Sequence, residues 1–150
     1  MGGEFTMNVQ FADISIHEMK MDDYDEIYEL WRNTPGMGLS NADKRESIDS
    51  FLGRNKGLSY VCRHGGRIVG TVLCGHDGRR GYIYHVTVAE EYRGRGIGRR
   101  LVETSLEKLK EEGIDKCHLF VFVDNSVGNA FWASMGWDKR EDIFVYSKTI

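Results

Sequence analysis

The sequence has a single proline, only three cysteines and no apolar run near the ~20 residues that a membrane-spanning helix requires. An integral membrane role is therefore excluded. The cysteines, Cys62, Cys74 and Cys117, are odd in number and widely spaced. They form no CxxC and no Cys/His set with zinc-like spacing, which argues against a disulfide framework and against a metal site. Each lies in an apolar run, so buried reduced thiols and a cytoplasmic location are expected. Positive charge is not in surplus either: 20 Lys and Arg stand against 23 Asp and Glu, a net charge of −3. Such a balance excludes a general nucleic-acid-binding surface. Met1 to Thr6 shows no basic region followed by an apolar stretch, so no secretory signal is expected there. Those residues read as a cloning scar before a native start at Met7, with one domain over residues 7–150.

What is present is an ordinary globular composition, 41% hydrophobic and 29% charged, with 18 glycines. Its arginines cluster: Arg79, Arg80, Arg93, Arg95, Arg99 and Arg100 fall close together, while much of the acid lies early in the chain. A mildly acidic chain with one basic patch suits a small polyanionic ligand. Asp13 to Glu18 alternates as a strand does. Tyr24, Ile27, Tyr28 and Trp31 follow at helical spacing behind a cap at Asp22 or Asp23, and Pro35-Gly36 ends that helix. Ile48, Phe51 and Leu52 mark a second helical face within Ser40 to Asn55. Leu58 to His64 and Arg67 to Gly75 are β-rich runs joined by Gly65-Gly66, a hairpin signal. Gly81 to Ala89 continues the meander after an Asp77-Gly78 turn. A helix then runs through Ile97, Leu101, Leu106 and Leu109 and stops at Gly113. Cys117 to Val123 reads as a strand buried on both faces, Val127 to Met135 as a short helix, and Ile143 to Lys148 as a final strand. The predicted fold is α/β, a mixed sheet in the order β-α-α-β-β-β-α-β-α-β.

The stretch that carries chemistry is His85-Val-Thr-Val-Ala-Glu-Glu-Tyr-Arg-Gly-Arg-Gly-Ile-Gly-Arg-Arg-Leu101, a strand passing through a glycine-rich loop into a helix. Glycines let backbone approach a ligand, and the first amides of a helix are unpaired and sit at its positive end. Together they form a cradle for a pyrophosphate. Spacing narrows the ligand. The dinucleotide fingerprint Gly-x-Gly-x-x-Gly fails in both registers, since Arg99 and Leu101 stand where its last glycine belongs, and no Walker Gly-Lys-Ser/Thr is present.

Arg93-x-x-Gly96-x-Gly98 resembles the Arg/Gln-x-x-Gly-x-Gly/Ala signature of the GCN5-related N-acetyltransferases (GNAT). Downstream, Asn125-x-x-Gly128-x-x-Phe131-Trp132-x-x-x-Gly136-Trp137 resembles that family's Asn-x-x-Ala-x-x-Leu-Tyr-x-x-x-Gly-Phe segment. The run Gly70 to Gly81 looks most like the bacterial subgroup that includes the YpeA-type enzymes. The resemblance covers about Asp13 to Ile150 and implies splayed central parallel strands that admit the pantetheine arm of acetyl-CoA. Residues 7–150 would then be an N-acetyltransferase domain acting on a primary amine of a small molecule or peptide, by direct attack in a ternary complex. Val86, Thr87 and Val88 would face the pantetheine, the Val88 N–H polarising the thioester carbonyl. Arg93, Gly94, Arg95, Gly96, Ile97, Gly98 and Arg99 would wrap the pyrophosphate; Asn125 and Trp132 would also contact the cofactor. No metal, nucleic acid or membrane is implied, and a homodimer through the last strands is common in the family.

Two positions depart from that pattern. Trp132 replaces the tyrosine that serves many members as proton donor, and an indole N–H cannot give up a proton at useful pH. Phe120 stands where ribosomal-protein acetyltransferases carry a carboxylate. These departures keep a coenzyme A-binding module with little or no catalysis as the alternative. Alternation places Tyr82, Tyr84, Val86 and Val88 on one strand face, which makes Tyr84 the candidate acid or water-organising group. His85 is expected on the opposite face under a helix, and His76 in a turn. Residues 34–41 and 74–80 are expected to line the acceptor cleft. Arg79 and Arg80 suit an acidic acceptor or the 3′-phosphate of the cofactor.

Overall fold

The computed structural model describes residues 13–150. The assignment of residues 1–6 to a cloning scar, and the start at Met7, lie outside that range. Two compact units are present, one running to Phe120 and one from Val121 to Ile150.

The first unit is built on a sheet of five strands in chain order: β1 (Ile14–Glu18), β2 (Tyr60–His64), β3 (Arg67–His76), β4 (Gly81–Val88) and β5 (Cys117–Leu119). β1 to β4 pair antiparallel, and β5 joins β4 in parallel. Gly65, at φ +62°, makes the β2–β3 hairpin, as the Gly-Gly signal implies. Helices α1 (Tyr24–Arg32) and α2 (Arg45–Arg54) cover one face. Their apolar stripes, with Tyr24, Ile27, Trp31 and Ile48 buried, pack with Met19, Val61, Ile68 and Leu73. Asp23 makes no capping bond to α1; its carboxylate pairs with Arg63 at 2.7 Å instead.

Helix α3 (Ile97–Glu111) covers the other face with Ile97, Leu101, Val102, Ser105 and Leu109. It lies close because glycines stand beneath it. A Cβ on Gly70 would sit 3.0 Å from Leu101 Cδ1, and one on Gly81 only 2.7 Å from Leu109 Cδ1. Gly113, at φ +85°, ends the helix with Ile114 N–H donating to Leu109 O at 3.0 Å and Gly113 N–H to Lys110 O at 3.0 Å. This double bond pattern is the Schellman cap that a glycine in the left-handed region permits.

Three expectations need correction. The helical face expected over residues 40–55 divides into a 3₁₀ turn at Asn41–Asp43 and α2. The strand expected over residues 117–123 is cut to Cys117–Leu119 and is only half-buried. Its ladder with β4 spans Gly81 to Ile83 and goes no further. The strand expected at residues 143–148 does not form, and with it goes the element through which a homodimer was expected. The second unit holds one helix, α4 (Ser126–Ser134), and no strand that could supply a ladder partner. Apolar alternation states a preference for burial; a strand also needs a partner for its N–H and C=O groups.

Candidate functional site

The centre of the first unit is an irregularity in β4. Thr71 of β3 pairs with Thr87 and Leu73 with Tyr84, so Val72 opposes both His85 and Val86. One residue against two is a β-bulge, which bends and re-aims the bulged strand. His85 takes φ +48°, the left-handed region, at a cost of about 1–2 kcal/mol for a residue with a Cβ. The bulge begins two residues after Ile83, the last residue that pairs with β5, and it bends β4 away where parallel pairing ends.

The bulge also changes which side chains share a face. Tyr84 packs edge-on against Phe51 of α2, with ring centroids 6.1 Å apart. His85, expected on the opposite face, lies on the same one: its ring is 4.7 Å from Trp31, and its Nε2 is 2.6 Å from Asp43 Oδ1. Thr87 joins them, donating to Thr34 Oγ1 at 2.8 Å, since the Thr34 hydroxyl is already committed to Leu30 O. Val88 pairs with Gly70, whose Cβ position points at α3, so Val88 and Val86 turn to the α3 face. The single face expected for Tyr82, Tyr84, Val86 and Val88 is therefore broken in two. An extra residue inserted in a strand inverts the alternation beyond it.

The bulge backbone is held from beneath. Trp31 Nε1 donates to Thr71 Oγ1 at 3.0 Å, and that hydroxyl donates to His85 O at 2.9 Å. Beyond the bulge, Ala89 N–H donates to Val69 O at 2.8 Å. Strand alternation then points the Val88 N–H away from β3, toward the edge that β5 has left unpaired.

The loop after β4 has the geometry of an anion cradle. Gly94 (φ +76°) and Gly96 (φ +80°) are both left-handed, with open space where a Cβ would stand. Gly96 is the N-cap of α3, and no side chain caps the helix. Arg100 N–H to Gly96 O, at 3.0 Å, is the first helical bond, so earlier amides must find acceptors elsewhere. Arg95 lays its guanidinium 5.6 Å from the Tyr92 ring centroid, and its Nη1 is buried without a hydrogen-bond partner. A buried cationic donor with no acceptor costs free energy unless an anion joins it. Arg93 folds back, its Nε donating to Val88 O at 3.0 Å, while Arg99 lies 3.7 Å from Glu103.

The remaining candidates divide between the site and the scaffold. Burial raises the Tyr84 pKa above the ordinary phenol value, with neighbouring Tyr82 adding to the rise, so Tyr84 is a neutral donor at physiological pH. His76 is pinned: its Nδ1 accepts from Gly78 N–H at 2.9 Å and its Nε2 donates to Glu112 at 2.8 Å. Arg80 pairs with Asp115 at 3.1 Å, and the Arg79 and Arg80 amides both donate to Asp77 Oδ1. Burial pushes the Cys74 and Cys117 thiols up to about 12, so neither is a nucleophile. A cavity of about 460 Å³ lies between the end of α3 and the start of β5, lined by Leu106, Leu109, Ile114 and Cys117. It is about 20 Å, the length of the helix, from the glycine loop.

Within the second unit, Asn125 caps α4 by accepting from Gly128 N–H at 2.9 Å. A Cβ on Gly128 would come within 2.7 Å of that amide side chain. At the other end Gly136 (φ +84°) allows Trp137 N–H to reach Trp132 O at 3.1 Å, and the two indoles pack with centroids 5.0 Å apart. Trp132 thus anchors a second Schellman cap.

Asp43, beside His85 on β4, is a candidate that sequence reasoning missed. Its signal was the Ser40-x-x-Asp43 spacing of a capping box, which the structure forms: Ser40 N–H donates to Asp43 Oδ2 at 3.0 Å.

The acetyltransferase (GNAT) family profile matches residues 24–137. An acetyltransferase of Sodalis glossinidius is 28% identical over 137 residues, covering 91% of this chain and 96% of that protein. One from Pectobacterium atrosepticum is 34% identical over 112 residues, covering 75% and 79%. Among solved structures, the PaiA N-acetyltransferase of Thermoplasma acidophilum in complex with coenzyme A superimposes with a TM-score of 0.71 at 18% identity, covering 81% of this chain and 87% of that one. The fold, the glycine loop and this match define an acyltransferase. The chain belongs to the GNAT acetyltransferase family. Among the described residues no helix is long and apolar enough to cross a membrane, and no group of His, Cys, Asp or Glu is placed to hold a metal.

Proposed function

We propose that the chain transfers an acetyl group from acetyl-CoA to a primary amine, of a small molecule or peptide, by direct attack in a ternary complex. The observation that carries this reading is the uncapped α3 N-terminus behind two left-handed glycines, with the buried and unpartnered Nη1 of Arg95 beside it. That donor set suits a diphosphate: main-chain amides of Gly96, Ile97 and Gly98, the Arg95 guanidinium with its buried Nη1, and the surrounding charge of Arg93 and Arg99. The coenzyme A complex of the Thermoplasma PaiA neighbour points to the same ligand.

Acetyl-CoA, when bound, supplies an activated acyl carbon. The protein supplies the rest. Val86, Thr87 and Val88 offer an unpaired strand edge to the pantetheine, and the Val88 N–H donates to the carbonyl oxygen as charge builds there. Tyr84, a neutral phenol, donates to the departing sulfur or orders water beside it. Asn125 and Trp132 are proposed as further cofactor contacts on the strength of the motif they share with the family. The likeness of residues 70–81 to the YpeA-type subgroup, and the reduced thiols, favour a bacterial cytoplasmic enzyme. Thiol release from acetyl-CoA across a panel of primary amines tests the proposal. Amine-dependent release, lost in Gly96→Val, is expected. Saturable acetyl-CoA binding with no release on any amine would favour the non-catalytic module instead.

A further inference from the structure

His85 and Asp43 stand 42 residues apart in sequence and meet in a pair outside the glycine-loop cradle. The His85 side chain is 14% exposed and that of Asp43 6%. Asp43 is fixed on every side. Its Oδ2 accepts from Ser40 N–H, and its main-chain oxygen accepts from the Tyr24 hydroxyl at 2.6 Å. Its Oδ1 is left for His85 Nε2 at 2.6 Å. An ionised carboxylate only accepts, so Nε2 donates to it, and in the neutral ring the lone pair lies on Nδ1. No hydrogen bond within the described residues occupies Nδ1. Trp31 packs against the ring and closes off rotation.

A carboxylate that fixes one imidazole nitrogen and frees the other is the arrangement of a general base. Its place supports that role. The bulge that exposes the Val88 N–H to the open sheet edge is the same one that swings His85 onto the α1–α2 face. The connection between α1 and α2 is tied to β4 at both ends, Thr34 to Thr87 and Asp43 to His85, so it frames this part of the strand.

We infer that His85 is the base that deprotonates the incoming amine, with Asp43 as its positioning residue. This rests on the acetyl-transfer reading above. The amine nitrogen forms a bond to the acetyl carbon and the C–S bond breaks, its electron pair leaving on sulfur. The amine proton passes to His85 Nδ1 and from there to the thiolate or solvent, while Asp43 holds the imidazolium. Of the titratable groups nearby, Asp43 meets the His85 ring directly, Tyr24 of α1 donates to the Asp43 main-chain oxygen with Arg45 4.8 Å over its ring, and Tyr84 precedes His85 on β4. Burial raises the Tyr24 and Tyr84 phenols above their ordinary value, so both stay neutral, and Asp43 supplies the carboxylate that meets the imidazole. A base in this position needs an unprotonated nitrogen, so the rate carries an acidic limb that removal of the imidazole abolishes.

The test combines three measurements on the full chain and on His85→Gln and Asp43→Asn. Calorimetry with acetyl-CoA is expected to give unchanged affinity in both variants. Thiol release with the primary-amine panel, followed from pH 6 to 9, is expected to fall about 10²-fold or more in kcat for His85→Gln, with the acidic limb flattened. Asp43→Asn keeps an acceptor for Nε2 and is expected to lose less rate, with the limb displaced. Long-range ¹⁵N–¹H spectra are expected to show the Nε2–H tautomer of His85 in the parent chain. A His85→Gln rate within threefold of the parent, with the limb intact, overturns the assignment; so does a proton on Nδ1, which decides the matter if no panel amine is acetylated. Failure of the parent chain to bind acetyl-CoA would instead overturn the transfer reading.

Discussion

Arg95 sets the clearest local prediction. Its buried Nη1 lacks an acceptor, a desolvated donor that a bound diphosphate would satisfy on the proposed reading. Arg95→Gln is expected to lower acetyl-CoA affinity about tenfold, read by calorimetry, while leaving thermal stability unchanged or slightly raised. Gly96 makes the complementary case. At φ +80° with open space at its Cβ position, its constraint is conformational, and a β-branched residue there costs about 1–2 kcal/mol or moves the loop. Gly96→Val should cost at least tenfold in affinity with a folded circular-dichroism spectrum. The thiols give a pH prediction. Because burial raises Cys74 and Cys117 to about 12, both are protonated throughout the physiological range, and the nucleophilic thiolate is gained only as pH climbs toward that value. Alkylation of the native protein at pH 7.5 is expected to be far slower than in denaturant; equal rates would contradict this burial.

At the scale of elements, close approach of α3 to the sheet depends on what β3 and β4 omit. Gly81→Ala places a methyl 2.7 Å from Leu109 Cδ1 and should cost about 1–3 kcal/mol, seen as a lowered denaturant midpoint. Much at this scale was legible in sequence. Gly65-Gly66, the i, i+3, i+4, i+7 stripe through Tyr24 and Trp31, and Gly113 each report a local rule that the structure obeys. The glycine loop was legible for the same reason, since its chemistry lies in consecutive residues. The bulge was not. Alternation along Tyr82 to Val88 looks regular, and only register against Thr71 and Leu73 reveals the extra residue. Asp43 and His85 meet through tertiary packing, which no local period encodes. The end of β5 at Leu119 depends on where β4 turns away, so an apolar run to Val123 overstated it.

At the scale of the whole molecule, one strand irregularity organises the first unit. It ends the β4–β5 ladder, frees the Val88 N–H, brings His85 to Asp43, and delivers the chain into the Gly94–Gly96 loop at the head of α3. Trp31 supports the bulge through Thr71, so Trp31→Phe, which keeps an aromatic ring but removes the donor and leaves a small cavity, should cost about 1–3 kcal/mol in stability. It should also reduce kcat more than it raises KM for acetyl-CoA, because the bulge and not the cradle is disturbed. An unchanged kcat in Trp31→Phe would separate the bulge from turnover. The central claim, that the loop after β4 grips a diphosphate and presents a thioester to the Val88 amide, is open to direct measurement by ¹H–¹⁵N spectra during titration with acetyl-CoA. The largest shifts are expected at the amides of Gly94, Gly96, Ile97, Gly98 and Val88, with the far end of α3 near Gly113 undisturbed. Saturable shifts centred elsewhere, or none at millimolar ligand, would contradict it.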